Sequence, residues 1–200
     1  MAMFAKSLLV AGTAYAGIGS RKTPDDICAL MTQIARALAA RSMILRSGGA
    51  DGADNAFAKG APIGQREIFT PWKTFQPKAG PFIPDTIALA GSPIEHAATQ
   101  LARAFHPEWD RLSPGVRRLH ARNCQQVLGA GLGDLSTFVL CWTEAAAGGG
   151  GTGQAIRVAR AHGVPVFDLA DPQTLVSVVS ALDIAAPHTS TASSTSDLEI

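Results

Sequence analysis

Residues 136–160, "STFVLCWTEAAAGGGGTGQAIRVAR", carry three signals in one short stretch. The run 136–143 is apolar without alternation, as expected of a central parallel strand covered on both faces. Gly148 to Gly151 and Thr152 then make a turn. A helix follows that should stop near His162, ahead of Gly163 and Pro165. A strand that passes through a glycine turn into a helix is the repeating unit of a parallel α/β sheet.

The same unit recurs on either side. Residues 13–19, "TAYAGIG", read as a first strand. Thr23 is placed as a helix N-cap with Pro24 at the first helical position and Asp25 and Asp26 in the first turn. Ile27, Leu30, Met31, Ile34 and Leu38 continue at helical spacing. A second strand is expected at 43–47, then a helix with Asp51 as its N-cap, then a third strand at 66–71. Residues 72–95 break the rhythm with four prolines and two phenylalanines and read as a long ordered loop or lid. Helical segments follow at about 95–106 and, opened by Ser113 and Pro114, up to Leu128. A last strand lies in "VPVFDL", and Asp171-Pro172 opens a final helix bearing Leu175, Val178, Val179 and Leu182. The expected fold is α/β: a single-domain Rossmann-like parallel sheet with helices on both faces, spanning 1–184. The Ser/Thr-rich residues 185–200 read as a disordered tail.

Bulk properties narrow the function. The chain has 200 residues, 46% of them hydrophobic, and a formal charge of +1, so no global basic field points to nucleic acid. Cys28, Cys124 and Cys141 are far apart and odd in number, which reads as free thiols in a reducing, cytoplasmic setting. The N-terminal segment contains Ala14-Tyr15-Ala16, a mimic of a signal-peptide cleavage site. Cleavage there would remove the first strand, so the segment reads as structural. No apolar run reaches the roughly 18 residues of a membrane span, and no membrane partner is expected.

In parallel sheets ligands bind at the carboxyl ends of the strands. The turns Gly17–Arg21, Ser47–Asp54, Thr70–Trp72 and Thr143–Thr152 are therefore expected to converge on one crevice. Helix N-termini there would present free N–H groups to an anion. A Walker A loop needs a lysine and a hydroxyl after its last glycine; Gln154 and Ala155 stand there instead. The dinucleotide fingerprint is only half present in "GIGSRK". Both departures argue against a triphosphate motor and a standard nicotinamide dehydrogenase, and no cofactor is expected.

"YAGIGSRKTP", "LRSGGADGADNAFAKGA" and "GGGGTGQA", with "RLHARNCQQVLG" and "FVLCWT", resemble the SLOG superfamily over about residues 13–170. The first two stretches are similar to DNA-processing protein A, the third to the phosphate loop of the Lonely-Guy phosphoribohydrolases. The whole set is most similar to small, mostly phage-encoded SLOG proteins. The resemblance implies a Rossmann-like fold and a bound nucleotide or nucleotide-derived molecule. It assigns Gly17, Ser20 and Arg21 to a first loop, Ser47, Gly48, Gly49, Asp51, Gly52 and Asp54 to a second, and Gly149, Gly151 and Thr152 to the phosphate loop; Gly150 between them is also expected to bind the ligand. Where the hydrolytic members carry a catalytic glutamate, this chain has Ala155. If the chain cleaves an N-glycosidic bond, Asp51, Asp54, Glu95 or Glu144 must serve.

Other side chains carry open alternatives. Thr143 ends the apolar strand beside the crevice. Arg21 suits a phosphate, whereas Arg46 is left between ligand and ion pair. Asn123 lies on a helical stripe with Val116, Leu119 and Val127, and either ties down a backbone or points into the crevice. Arg122 is read as exposed or as reaching over the site. The basic run 117–122 reads as a solvated helix face or a nucleic-acid contact. His120 and Cys124 stand four residues apart, a spacing that can hold a metal, but two ligands make no structural zinc site, and no metal is expected. Trp72, Phe75 and Phe82 either stack on a base or form the lid's own core, with Trp72 the one expected to face a ligand. Three functions remain: a protein that binds or sequesters a nucleotide-like ligand, a nucleotide N-glycoside hydrolase, and a single-stranded-DNA-binding recombination mediator. Homo-oligomer formation is compatible with each.

Overall fold

The computed structural model describes residues 3–144 and 150–184. The expected tail at 185–200 and part of the glycine turn, including Gly149, lie outside the described residues. Six strands form one parallel sheet: β1 (Ala14–Gly17), β2 (Ile44–Ser47), β3 (Arg66–Thr70), β4 (Thr86–Ala88), β5 (Val139–Cys141) and β6 (Val166–Asp168), in the order β4-β3-β2-β1-β5-β6. All pairs are parallel. The helices are α1 (Asp25–Ala39), α2 (Ala53–Gly60), α3 (Glu95–Ala104), α4 (Pro114–Leu128), α5 (Gly150–Ala161) and α6 (Pro172–Leu182). Strand–helix alternation with short links leaves a parallel sheet as the arrangement that buries every apolar face.

The β-strands alternate their cores between two layers. Tyr15, Leu45, Phe138 and Leu140 pack with α1, α2 and α6, while Ala16, Val139 and Cys141 pack with α3, α4 and α5. This two-sided burial explains why the strands read as unbroken apolar runs. On the first face Phe138 stacks on Tyr15 at 5.7 Å between centroids, and Phe4 meets Phe138 edge-on at 5.1 Å. Phe4 thus brings the N-terminal segment into the core, next to a short 3₁₀ turn at Lys6–Leu8. Cys124 and Cys141 are buried and all three cysteines are free thiols.

Three local expectations change. Residues 86–88, expected within an irregular lid, form the edge strand β4, paired Ile68–Thr86 and Thr70–Ala88. Periodicity could not mark a three-residue strand enclosed by prolines. The N-cap of α2 is Gly52, not Asp51; its φ of +76° is a conformation glycine adopts without strain. The α1 boundary lies one residue later than expected, with Pro24 as N-cap, while Thr23 donates its hydroxyl to Ser20 O at 2.7 Å. The caps of α4 and α6 are as expected: Ser113 accepts from Val116 N, and Asp171 Oδ2 from Thr174 N at 2.9 Å.

Phe138→Ala removes a fully buried ring from the aromatic cluster. It should cost about 3–5 kcal/mol, whereas Val176→Ala, 63% exposed, should move stability by less than ~0.5 kcal/mol. Urea unfolding of the two variants checks the contrast.

Candidate functional site

β1 and β5 are neighbours, but the chain leaves them in opposite directions. After β1 it runs through α1 to β2; after β5 it runs through α5 to β6. Such a switch point opens a crevice beyond the strand ends. A cavity of about 640 Å³ lies there, large enough for a small ligand. Its walls are the β1 turn (Ile18 to Lys22), the β5 turn (Thr143, Glu144), the first turn of α5 (Gly150 to Thr152), and one face of α4. Ala50 and Asp54 reach it from the α2 side.

Of the residues expected at the site, Ser20, Arg21, Asp54, Asn123, Thr143, Glu144, Gly150, Gly151 and Thr152 line this one cavity. Asn123 does both things left open: it lines the crevice and its Nδ2 donates to Gly151 O at 3.0 Å, holding the α5 turn against α4. Thr143 is fixed by Asp168, whose Oδ1 accepts from Thr143 N at 3.1 Å and whose Oδ2 accepts the Thr143 hydroxyl. Glu144 is exposed and 3.9 Å from Lys22 Nζ.

The second loop serves the site from outside. Ser47 Oγ donates to Gly17 O at 2.7 Å and cross-braces β1 and β2. A side chain at Gly17 would collide with Leu45 and Phe57 at 2.7 Å, so that glycine answers to packing. Gly52 lets α2 approach the β1 turn, since a Cβ there would stand 2.4 Å from Ser20 O. Gly49 has a φ of +64°. Gly48 is bare because Arg122 lies across it: a Cβ would fall 1.3 Å from Arg122 Nη1. Asp51 does not line the cavity. Its carboxylate accepts from the backbone N–H groups of Lys78 and Ala79 at 3.0 and 2.8 Å and clasps the 72–85 loop. Trp72 and the turn Thr70–Trp72 are also absent from the cavity wall. Trp72 instead meets Phe75 edge-on at 5.6 Å, and Phe82 is exposed.

The floor of the crevice is an ion pair. Arg122 Nη1 and Asp54 Oδ2 are 3.4 Å apart, and both residues are buried. Burial pushes the Asp54 carboxyl above its ordinary range, with Arg122 opposing that rise. The sequence left Arg122 exposed or over the site; it is buried beneath it. This face of α4 also carries His120 and Gln126, both buried. Among the described residues, Arg122 Nε, Gln126 Nε2 and His120 Nδ1 are buried and have no hydrogen-bond partner. Sequence reasoning overlooked Gln126, although it extends the stripe of Val116, Leu119 and Asn123 by one turn.

The other charged groups are engaged elsewhere. Arg117 lies over the Trp109 ring at 5.7 Å and donates to Trp109 O and Asp110 O. Arg118 pairs with Glu95 at 2.8 Å, and Glu95 also accepts from Gly91 N. Arg117 and Arg118 of the basic run are half-buried and tied to neighbouring groups. Arg46 is buried between Glu67, at 2.7 Å, and Asp134. Gln154, which stands where a P-loop lysine would be, is buried and donates to Cys124 Sγ at 3.6 Å.

No protein-family model and no curated protein sequence matches this chain. Among solved structures it is similar to DNA processing protein A from Helicobacter pylori, described for its single-stranded-DNA binding mode. The two are 19% identical over 83% of this chain and 69% of that one, with a TM-score of 0.50. The likeness is one of fold, and the fold is Rossmann-like. Among the described residues no helix is long and apolar enough to cross a membrane.

His120 gives the site a pH signature. Burial, then the nearby His106, Arg157 and Arg122, hold it down at about 4, with Gln154 opposing them. A depressed histidine contributes stability that is complete above its unfolded value near 6.5 and is lost as pH falls towards 4. The thermal midpoint of the native chain should thus drop between pH 6.5 and 4, and His120→Gln should drop less over the same interval.

Proposed function

We propose that the crevice binds a nucleotide or nucleotide-derived ligand. The carrying observation is the crevice itself, where the β1 turn with Ser20 and Arg21, the first turn of α5 and a polar face of α4 converge at the switch point of the sheet. The phosphate belongs at the outer end, where Ser20, the exposed Arg21 and the first turn of α5 face one another. A helix N-terminus and a guanidinium both favour an anion there. The resemblance of these loops to SLOG proteins supports the same reading, with the protein acting to bind or sequester its ligand.

Arg21→Ala should weaken nucleotide binding about tenfold, the loss of one charge-assisted hydrogen bond. Calorimetric titration of native and variant chains measures it. Binding of equal strength in the two would remove Arg21 from the site. No nucleotide bound by the native chain, and none released from it on denaturation, would sink the reading itself.

Hydrolysis is the second reading, and Asp54 is the observation that favours it. A buried carboxyl at the edge of the crevice is placed to exchange a proton with a leaving group. Asp54 is the one carboxylate of the crevice that is buried; Glu144 is exposed. Release of free base from nucleotides should then vanish in Asp54→Asn and persist in Glu144→Gln. For a single-stranded-DNA function the neighbour's fold is the support, and Arg21 and Lys22 are the exposed cations at the crevice mouth. That binding would weaken steeply with salt and with Arg21→Ala. It would be insensitive to Arg117→Ala, because Arg117 is held by Trp109 and Asp110.

A further inference from the structure

Residues 50–55 touch two parts of the molecule at once. Ala50 and Asp54 line the crevice. Between them the chain backs onto the β1 turn. Ala53 N donates to Ser20 O at 3.2 Å, and Gly52 lies so close that a Cβ there would stand 2.8 Å from Arg21 Cα. Asp51 and Asn55, each one residue on from a crevice residue, meet the 72–85 loop instead. Asp51 accepts from Lys78 N and Ala79 N. Asn55 lies against Gly80, where a Cβ would stand 2.0 Å from Asn55 Nδ2. Asp51, Asn55 and Gly80 are all absent from the cavity wall.

The loop is firm enough to act as a brace. Gln76 Nε2 donates to Ile83 O at 3.0 Å, and Gln76 Oε1 accepts from Ile83 N at 2.8 Å. Ile83 is buried in the core. Beyond it, Arg66 of β3 grips Asp85 through bonds of 2.8 and 2.6 Å. The segment it braces has the opposite character. Gly48, Gly49 and Gly52 give the approach to α2 wide backbone freedom, so contacts from outside must fix its path. A carboxylate holding two backbone N–H groups makes charge-assisted hydrogen bonds, the stronger kind.

Resting on the nucleotide reading above, we infer that Asp51 is a positioning residue for the crevice. By clasping the 72–85 loop it holds residues 50–54 against the β1 turn, which sets Asp54 beneath the ligand and Arg21 beside it. Attachment of the loop and occupation of the crevice then strengthen one another, because linkage between two equilibria is reciprocal.

The test joins calorimetric titration of the full chain to limited trypsin digestion. Adenosine, guanosine, cytidine and uridine monophosphates are titrated, and the tightest binder of the four is the probe. Lys78 is exposed and its peptide bond to Ala79 lies under the clasp, so cleavage there reports the loop. Saturating probe should slow cleavage at Lys78 about fivefold or more, the lower range of coupling between sites. Asp51→Ala should speed that cleavage and weaken probe binding by a similar factor. Gly80→Ala should do the same with Asp51 intact, because its Cβ drives the loop off Asn55. Asp51→Asn keeps one acceptor oxygen and should fall between Asp51→Ala and the native chain. Circular dichroism reports folding, and protection of the native chain by the probe is read without any variant. A merely structural clasp would speed cleavage in the variants and leave affinity and protection unchanged. That result overturns the inference and spares the nucleotide reading, as does unaltered cleavage in the native chain with probe bound. Failure of all four nucleotides to bind sinks both.

Discussion

The crevice depends on the pairing of β1 with β5, strands that lie more than a hundred residues apart in the chain. Ala16 N donates to Phe138 O at 2.9 Å, Ile18 N to Leu140 O at 3.0 Å, and Ser20 N to Trp142 O at 3.2 Å. The ladder continues past the strands themselves into the two turns. That continuation keeps the β1 turn and the β5 turn abreast. With the chain departing to opposite sides, a gap between them is unavoidable. Gly19 has to be bare for this closeness, since a Cβ there would stand 3.1 Å from Trp142 O and 2.6 Å from Ala53 Cβ.

A second constraint runs through Arg122. A buried guanidinium is costly unless it is paired, and its partner comes from α2, on the far side of the β2 turn. Bringing the two together requires a bare backbone at Gly48, where the guanidinium passes. It also requires α2 to start close to β1, which Gly52 allows. The glycines of "SGGADG" are thus shaped by the needs of one ion pair and one helix approach. They hold the floor of the crevice in place and do not line it.

This separation accounts for what was legible in the sequence. The strand–turn–helix units, the caps at Ser113 and Asp171, and the convergence of the β1 and β5 turns follow from local chemistry and a general rule of parallel sheets. Function was harder to assign within the second loop. A glycine that frees space for a ligand and one that frees space for Arg122 look identical in sequence. Asp51 and Asp54 are three residues apart and equally suited to chemistry, yet one clasps Lys78 and Ala79 and the other lies in the crevice. The difference arises from the path of the 72–85 loop, which its prolines leave without periodicity. Gln126 was missed for the opposite reason: an uncharged polar residue near a helix end carries no signal until its neighbours are known.

The composition of α5 then makes sense of the role of α4. In a P-loop the first turn of the helix brings its own lysine and hydroxyl. Here Gln154 is turned into the protein towards Cys124, and Ala155 offers no polar atom. The helix start retains its backbone N–H groups and the Thr152 hydroxyl. Asn123 fastens that start to α4 through Gly151, and α4 presents Arg122, Gln126 and His120 to the same space. Side-chain chemistry has therefore moved from the helix that follows the glycine turn to the helix that packs beside it. A motif search along the chain looks for both in one stretch. In this fold the backbone half and the side-chain half of the site are separated by about thirty residues and joined by the Asn123–Gly151 and Gln154–Cys124 hydrogen bonds.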